Sequence, residues 1–399
     1  MSLKDVYNAN NLAMAFRKAK QGTDWKESVQ KYEMNELLNI YNSREEIKNG
    51  VYNAKEMTEF TLCERGHTRK IIAQNIYGRV ILRSLNDNVL IPKIRPKLIY
   101  DNGASLKDKG LSFARKRFEK HLRSAYKEYG DDCYILLMDF KKYYDNIQHK
   151  IALDMFGKYI DEDELKYVET IFHEFAVDVS YMSNEEYKDC INKLYNSLEA
   201  PQIPKRQRTG EKLMLKSLGI GNQISQITGI LYPHEIDNFC KIVMGIKYYG
   251  RYMDDTYIIM KDKNELKRVY KKIQKKCDEL GIFINRKKTH IHRINTWITW
   301  LKINYRLKPT GGLIRKVHSS TISRERRRLN KFRRLLYNNK MTYLDILECY
   351  KSWRGNYAKY DSGVKLHRLD KYFVKLFKEE IKNDKGRNYA GNYQFKKRA

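Results

Sequence analysis

Two apolar segments that each adjoin aspartate set the strongest limit on how this chain folds. Residues 133–138 (CYILLM) are continuously apolar and lead directly into Asp139. Residues 248–260 (YYGRYMDDTYIIM) place strand-forming residues on both sides of Asp254 and Asp255. A short apolar run is typical of a buried strand, and a polar pair between two such runs is typical of a hairpin turn. We therefore predict a buried sheet in which carboxylates stand at the ends of neighbouring strands.

The rest of the chain mixes helical and strand-like patterns, which predicts an α+β fold. Residues 25–49 carry apolar residues at helical spacing, and Gly50 follows as a stop signal. Residues 60–72 alternate like a two-stranded ribbon, and residues 111–128 have the pattern of a basic helix. The predicted apolar face of the first helix consists of Met34, Leu37, Leu38 and Tyr41.

The second half of the chain changes character near Pro309. Before it, a Lys-rich helix is predicted at residues 263–280 and strands at residues 297–307. After it, the sequence is basic and helical, with an apolar stripe opposite several arginines. We therefore expect a separate helical lobe beyond residue 307. The stripe consists of Leu329, Phe332 and Leu336.

The charge of the chain predicts a polyanionic partner. Lysine and arginine number 79 against 48 acidic residues, a formal net charge of +31, and 31 tyrosines are spread among them. Cations bind phosphates and aromatic faces stack on bases, so nucleic acid is favoured, although basic surfaces also occur in ribosomal and membrane-surface proteins. No apolar run approaches the roughly 18 residues of a membrane span, and the first residues lack the order of a signal peptide. We expect a cytoplasmic protein without membrane contact.

The six cysteines are scattered along the chain without a CxxC pair. This spacing argues against a zinc ribbon and against a disulfide framework. We expect reduced thiols with structural roles.

Converging carboxylates are what nucleotidyl transfer requires of a protein. Two Mg²⁺ ions about 3.5–4 Å apart activate the attacking hydroxyl and neutralise the leaving group, and carboxylates hold them. Asp139, Asp254 and Asp255 are candidates for this role. An Asp-Asp pair also occurs in ordinary hairpin turns, so the pair alone leaves both interpretations open.

The surrounding sequence resembles the reverse transcriptase family. RYMDD at residues 251–255 and LLMDFKKYYDNIQH at residues 136–149 resemble the paired catalytic motifs of these enzymes, and the resemblance extends over residues 56–307. It is closest in character to bacterial enzymes of the group II intron-like lineage. It implies an α+β right-hand polymerase with fingers, an antiparallel-sheet palm and an α-helical thumb. The implied domains are a helical extension at 1–55, fingers and palm at 56–307, and a basic helical thumb at 308–399.

The resemblance also implies a metal site and a catalytic acid. Asp139, Asp254, Asp255 and the backbone of Phe140 would hold two Mg²⁺ ions, with Mn²⁺ as a substitute. LGIFINRKKT at residues 280–289 resembles the segment whose lysine protonates the departing pyrophosphate. The matching lysine is Lys288.

Further blocks imply contacts with the nucleotide and with the template and primer. ERGHTRKIIAQNIYGRVI at residues 64–81 resembles the fingers segment that grips the triphosphate, and LGIGNQISQITG at residues 218–229 resembles the loop that packs on the nascent base pair. Tyr144 stands where the family places an aromatic gate against a ribose 2′-hydroxyl. The implied nucleotide contacts are Arg65, Arg69, Arg79, Phe140, Tyr144 and Gly221. The implied template and primer contacts are Gln226, Tyr252, Trp300 and Arg327.

The glycine loop departs from the commonest family pattern. Ile220 stands where retroviral and intron enzymes usually carry glutamine, and the pattern from Ile220 to Gln226 resembles diversity-generating retroelements and bacterial defence-associated (unknown-group) enzymes. No maturase, endonuclease or ribonuclease H segment is recognisable. We therefore expect an enzyme that copies a dedicated noncoding RNA in antiphage defence, and the change at Ile220 predicts relaxed base selection.

Two other functions remain open on the sequence. One is the reverse transcriptase of a diversity-generating retroelement, and the other is an RNA-binding scaffold derived from a polymerase. The expected partners are the RNA template, the cDNA product and dNTPs, while an accessory protein or a homo-oligomer is left open.

Overall fold

The computed structural model describes residues 2–53, 57–64, 67–192, 209–219 and 221–378. The chain forms two compact units. The first comprises Met1–His121 and Cys133–Ile291, and the second comprises Leu122–Asp132 and His292–Ala399. The three predicted domains at 1–55, 56–307 and 308–399 stay a prediction.

The first unit begins with helices that pack on the following helical segment. Asn8 caps the second helix by accepting from the N–H groups of Asn10 and Asn11, and Leu12 and Phe16 are fully buried. This helix packs against α5 (Ile76–Leu85), whose Val80 and Ile81 are also fully buried. The helices of this part are α1 (Leu3–Val6), α2 (Ala9–Lys20), α3 (Glu27–Met34), α4 (Glu36–Lys48), α5 (Ile76–Leu85) and α6 (Ile91–Ile94).

The predicted helix at residues 25–49 is wrong in two respects. It is divided into α3 and α4 at Asn35, whose backbone (φ −118°, ψ 32°) is not helical. The predicted apolar face is exposed, because α4 buries Ile40, Ser43 and Ile47 instead. The exposed fractions are 84% for Met34, 85% for Leu37, 58% for Leu38 and 61% for Tyr41.

Three strands of the first unit form a four-stranded central sheet together with β8 (His290–Arg293), which begins in this unit. These three strands are β3 (Tyr134–Asp139), β6 (Tyr248–Tyr252) and β7 (Asp255–Met260). The strand order is β6-β7-β3-β8, and β7 pairs antiparallel with both β6 and β3. The predicted strand after residue 133 and the predicted hairpin at 248–260 are thus confirmed.

Among the remaining helices and short strands, α13 (Lys263–Glu279) packs against β3 and β7 of this sheet. Asp262 caps α13 by accepting from the Glu265 N–H, and Leu266, Val269, Ile273 and Cys277 recur at helical spacing on its buried face. The predicted helices at 111–128 and 263–280 are confirmed. The elements are α7 (Leu111–Tyr129), α8 (His149–Gly157), α9 (Glu162–His173), α10 (Asn184–Asn192), α11 (Gln223–Leu231), α12 (His234–Asn238) and α13 (Lys263–Glu279), with β4 (Val177–Asp178) paired to β5 (Leu213–Met214).

The predicted ribbon at residues 60–72 is confirmed as an antiparallel hairpin. It is formed by β1 (Thr58–Glu64) and β2 (His67–Ala73), with Thr58 opposite Ala73 and Glu64 opposite His67. Its tip, which contains Arg65, lies outside the described residues.

The second unit combines a small sheet with a helical bundle. In the sheet, the strand at Ile303–Leu307 lies between the strands at Leu313–Val317 and Ile298–Trp300 and pairs antiparallel with both. Leu329, Tyr350 and Phe373 lie in the core of the bundle. The predicted helical lobe after residue 307 therefore contains one strand before its helices. The elements are β9 (Ile298–Trp300), β10 (Ile303–Leu307), β11 (Leu313–Val317), α14 (Ser319–Tyr337), α15 (Tyr343–Tyr357) and α16 (Gly363–Leu376).

Two further properties concern membranes and thiols. Within the described residues, we find no helix with the length and apolarity needed to cross a bilayer. The six cysteines form no disulfide, and Cys63 on β1 is exposed while the others are buried or half-buried.

Candidate active site

The register of the central sheet brings the predicted carboxylates together in the fold. Asp139, the last residue of β3, pairs directly with Asp255, the first residue of β7. Directly opposed residues of an antiparallel pair share one face, with Cβ atoms generally about 4.5–5.5 Å apart. Asp254 precedes Asp255 in the turn of the β6–β7 hairpin, and its carbonyl accepts from the Phe140 N–H at 3.3 Å.

The turn that carries Asp254 is tight and strained. Tyr252 pairs with Asp255, so Met253 and Asp254 alone form the connection. Met253 has φ 55°, a left-handed conformation that two-residue turns usually assign to glycine, asparagine or aspartate. Such strain persists only where the surroundings fix the backbone.

Arg251 supplies that fixation from beneath the turn. Its guanidinium is fully buried and donates to both carboxylate oxygens of Asp237, at 2.6 to 3.1 Å. It also donates to the carbonyl of Ile230 at 2.9 Å and to the carbonyl of Met253 at 3.1 Å. Burial opposes the charged guanidinium, yet the paired Asp237 keeps the pKa of Arg251 above its ordinary value. The strained turn is therefore attached to a buried ion pair.

Asp139 is held by the segment that contains Lys288. Asn285 donates its side-chain amide to Asp139 Oδ2 at 2.9 Å and its backbone N–H to the Asp139 carbonyl at 2.8 Å. The Lys288 ammonium lies 3.2 Å from Asp139 Oδ2, although most of its side chain is exposed. The predicted acid Lys288 thus contacts the predicted metal ligand Asp139 directly.

The residues at this position fit a hard divalent cation by their chemistry. Asp139, Asp254 and Asp255, with the carbonyl of Phe140, offer only oxygen ligands, which Mg²⁺ prefers. Within the described part of the chain, however, there is no group of three or more His, Cys, Asp or Glu side chains arranged to hold a metal ion. The Asp139 carboxylate instead accepts from Asn285 and Lys288.

Tyr144 lies beside the carboxylates in a closely fitted space. Its hydroxyl lies 3.5 Å from Met253 Sδ, and burial, together with the Asp254 carboxylate, raises its pKa to about 12. A Cβ on Gly229 of α11 would lie only 2.7 Å from the Tyr144 hydroxyl. The neighbouring Tyr143 donates to the Gly229 carbonyl at 2.9 Å. Gly229 therefore provides the room in which Tyr144 sits.

The glycine loop packs against the β1–β2 hairpin. A Cβ on Gly219 (φ 60°) would meet Ile72 at 3.3 Å, and one on Gly221 (φ 117°) would meet Ile71 at 3.4 Å. Asn222 caps α11, and Gln226 is exposed on that helix. Ile220, the residue behind the predicted change in base selection, lies outside the described residues.

The predicted triphosphate contacts of the fingers are only partly described. Arg65 lies outside the described residues, and Arg69 is placed on β2 opposite Leu62. Arg79 is on α5, and its guanidinium donates to the carbonyl of Ala19 in α2. Burial lowers the pKa of Arg79. This arginine therefore joins two helices of the first unit, and its role towards a nucleotide stays a prediction.

The predicted template and primer contacts occupy different surroundings. Tyr252 is half-buried at the end of β6, where burial raises its pKa. Trp300 is buried in the small sheet of the second unit, and Arg327 is exposed on α14. Their contacts with nucleic acid stay predictions.

Sequence reasoning overlooked three residues of the site: Arg251, Asp237 and Asn285. A charged residue inside the tyrosine-rich strand at 248–252 was a signal that Arg251 needs a buried partner. Asn285 precedes Lys288 by one turn, which was a weaker signal. Nothing in the sequence pointed to Asp237.

A comparison with known protein families found a match. The family model described as "Reverse transcriptase (RNA-dependent DNA polymerase)" matches residues 65–344, well over half of the chain. A search of curated proteins found no match.

Proposed function

The chain belongs to the reverse transcriptase family and is an RNA-directed DNA polymerase, and from this premise we propose that it copies a structured noncoding RNA into DNA by two-metal nucleotidyl transfer. The observation that carries the mechanism is the pairing of Asp139 with Asp255, with Asp254 in the adjoining turn. Asp139 and Asp255 on two paired strands and Asp254 in the adjoining turn lie at the same end of the sheet, which supports the proposal.

Each residue of the site has a role in this proposal. Asp139, Asp254, Asp255 and the Phe140 carbonyl would hold the metal ions. Mg²⁺, or Mn²⁺ in its place, would activate the 3′-hydroxyl and neutralise the charge of the pyrophosphate when bound there. Lys288, which now neutralises Asp139, donates a proton to the leaving pyrophosphate.

The remaining residues position the nucleic acid and the incoming nucleotide. Tyr144 lies against Gly229 and Met253, so its ring is fixed and excludes a 2′-hydroxyl. Gly221 and Gln226 belong to the loop and helix on which the nascent base pair packs. We propose Arg65, Arg69 and Arg79 for the triphosphate, and Tyr252, Trp300 and Arg327 for template and primer.

Incorporation of labelled dNTPs on a primed RNA, with Mg²⁺, tests the catalytic assignment. We expect Asp254→Asn to lower the rate on the order of 10³-fold, because it removes a charged metal ligand. Asp262→Asn is the matched control, since Asp262 only caps α13 and asparagine caps equally well. Equal rates for Asp254→Asn and wild type would refute the assignment.

The selection of deoxynucleotides is tested at Tyr144. Tyr144→Ala should raise the relative use of rNTPs about tenfold or more, because it removes the ring that clashes with the 2′-hydroxyl. The readout is the ratio of kcat/KM for dCTP and CTP on one template. An unchanged ratio would mean that a residue other than Tyr144 selects against the ribose 2′-hydroxyl.

For the biological role we propose antiphage defence, in the cytoplasm, with a noncoding RNA as template. The pattern around Ile220 supports this role, and it equally suits the alternative of a diversity-generating retroelement. Plating of phage on cells that express wild type or Asp254→Ala separates the two, since only a catalytic defence enzyme loses protection. If neither dNTP incorporation nor protection is found with the native RNA present, an RNA-binding scaffold is the better description.

A further inference from the structure

An exposed tryptophan marks a cavity on the second unit. Trp297 immediately precedes β9 and is 41% exposed, whereas Trp300 at the end of the same strand is 4% exposed. The Arg306 guanidinium lies 5.8 Å and the Lys316 ammonium 5.5 Å from the Trp297 ring centroid. Proteins that bind single-stranded nucleic acid use such an arrangement, in which a base stacks on an exposed aromatic side chain and nearby cations contact the phosphates.

The cavity beside Trp297 has a size and a lining that suit one nucleotide. Its volume is about 440 Å³, and Asp131, Asn295, Arg306 and Lys308 contribute to its wall. This volume falls within the range of pockets that take small ligands. A carboxylate, an amide and two cations around an aromatic face provide contacts for a base and for its phosphate.

The rim of the cavity is fixed by hydrogen bonds within the unit. Tyr126 donates its hydroxyl to the carbonyl of Pro309 at 2.7 Å, and the Asp131 carboxylate beside the same hydroxyl raises the pKa of Tyr126. Lys308 donates its N–H to the carbonyl of Gly312 at 2.7 Å, and Gly311 donates to the carbonyl of Lys308 at 2.9 Å. The turn that carries Lys308 and Pro309 is thus ordered, so a ligand would meet a site that is already formed.

We propose that this cavity binds an unpaired guanine nucleotide, with the base stacked on Trp297 and its Watson–Crick edge on Asp131. A carboxylate accepts hydrogen bonds and donates none. Guanine presents two adjacent donors, N1–H and the 2-amino group, whereas adenine and cytosine place an acceptor beside their amino group, and uracil has one donor between two acceptors. The phosphate is bound by Arg306 and Lys308.

The proposed site is distinct from the turn of the β9–β10 hairpin, which adjoins Trp300, the residue proposed above for template and primer. That turn is formed by Leu301 and Lys302, at the opposite end of β9 from Trp297. Binding at the cavity does not require polymerase activity, so the two proposals fail independently.

Binding of short oligonucleotides to the full chain tests the proposal. We expect the pentamer UUGUU to bind about tenfold tighter than UUAUU, the discrimination typical of a two-bond base contact. Fluorescence anisotropy gives the Kd, and quenching of tryptophan emission reports contact with the indole. Asp131→Asn should abolish the preference for guanine, and Trp297→Ala should weaken binding of UUGUU about tenfold and remove the quenching.

A second exposed tryptophan provides the matched control. Trp25 is 72% exposed, and the Lys26 ammonium lies 5.7 Å from its ring, but it belongs to the first unit. Trp25→Ala should leave the affinity, the quenching and the preference for guanine unchanged. Should Trp297→Ala fold poorly, Asp131→Asn still decides the question, because Asp131 is an exposed side chain.

The source of the nucleotide is resolved by three ligands. If GMP competes at concentrations close to those of UUGUU, the natural ligand is a free nucleotide. If UUGUU binds more tightly than its deoxy analogue, the ligand is RNA. The reverse preference would identify single-stranded DNA as the ligand. Each outcome supports the site if Asp131→Asn abolishes it. Equal affinity for the guanine and adenine pentamers, or a guanine preference that survives Asp131→Asn, would overturn it.

Discussion

Each unit contains an arginine that donates to both carboxylate oxygens of an aspartate, and this aspartate also accepts from a tyrosine hydroxyl. In the first unit Arg251 pairs with Asp237, and Tyr249 donates to Asp237 at 2.5 Å. In the second unit Arg354 pairs with Asp370 at 2.8 and 2.9 Å, and Tyr350 donates to Asp370 at 2.7 Å. The local chemistry is the same in both units.

The two groups differ in burial and in what else they hold. Arg251 is completely buried and also donates to the Met253 carbonyl, whereas the Arg354 side chain is 21% exposed. Arg354 on α15 pairs with Asp370 on α16, and Arg251 lies under the turn that presents Asp254. The Arg354–Asp370 pair thus joins two helices, while the Arg251–Asp237 pair connects α12 to the turn of the candidate active site.

The largest expected difference between the groups is in stability. Arg251→Met should lower the free energy of unfolding by about 3–5 kcal/mol, because Asp237 would remain buried without its partner. Arg354→Met should cost less, about 1–3 kcal/mol, since water reaches that pair. Urea unfolding followed by circular dichroism measures both. Equal losses in the free energy of unfolding would mean that the greater burial of the Arg251–Asp237 pair does not raise the cost of breaking it.

Activity should separate the groups in a second way. Arg251→Lys keeps the charge but loses the planar fork that reaches Asp237 and Met253 together, so we expect kcat to fall about 10–100-fold. The half-saturating Mg²⁺ concentration should rise in parallel, which a purely structural role would not change. Arg354→Lys is the control, and its rate should stay within about twofold of wild type. A common loss of activity would contradict the link between Arg251 and the turn.

Mild acid should act oppositely on the two units. Burial lowers the pKa of His149 in the first unit from 6.5 to about 4. Because the unfolded chain then binds a proton that the folded chain does not, the folded state loses stability as the pH falls below about 6.5. Burial raises the pKa of Glu325 in α14 from 4.5 to about 7, so stability is lost as the pH rises from about 4.5 to 7. Between pH 7.5 and 5.5, α8 should lose and α14 should gain protection from hydrogen exchange. Glu325→Gln should remove the gain, and a uniform change in both helices would exclude these two groups as its cause.

The smallest expected effect concerns the hairpin turns. Like Met253, Leu301 (φ 44°) and Lys302 (φ 67°) adopt left-handed conformations without being glycine. Lys302→Gly should raise stability by about 0.5–1 kcal/mol, because it relieves strain at an exposed residue. Met253→Gly should bring no gain, since the lost side chain packs on the core and meets the Tyr144 hydroxyl. Thermal unfolding measures both changes, and equal gains would show that Met253 contributes no packing.

Local patterns in the sequence were sufficient to predict the central strands, the hairpin at 248–260 and the helices at 111–128 and 263–280. Each of these depends on neighbours within one element, as in the apolar run before Asp139. The same patterns predicted that Asp139 and the Asp254–Asp255 pair stand at the ends of neighbouring strands, and the strand register is what places Asp139 directly opposite Asp255.

Contacts between distant segments could not be predicted in this way. The partner of Arg251 is on α12, the Arg79 guanidinium donates to Ala19, and Gly229 accommodates Tyr144. None of these pairs has a periodic signal, because each arises only when separate elements pack. The exposed face of α3 and α4 shows the converse case, since apolar residues at helical spacing there do not face the core.

The exposed thiol of Cys63 has a practical consequence for following the β1–β2 hairpin. Maleimide dyes react with accessible cysteines, and the five other cysteines are buried or half-buried. A single fluorophore on β1 would therefore report motion of this ribbon in real time, as template, primer and nucleotide are added in turn, without prior removal of the native cysteines.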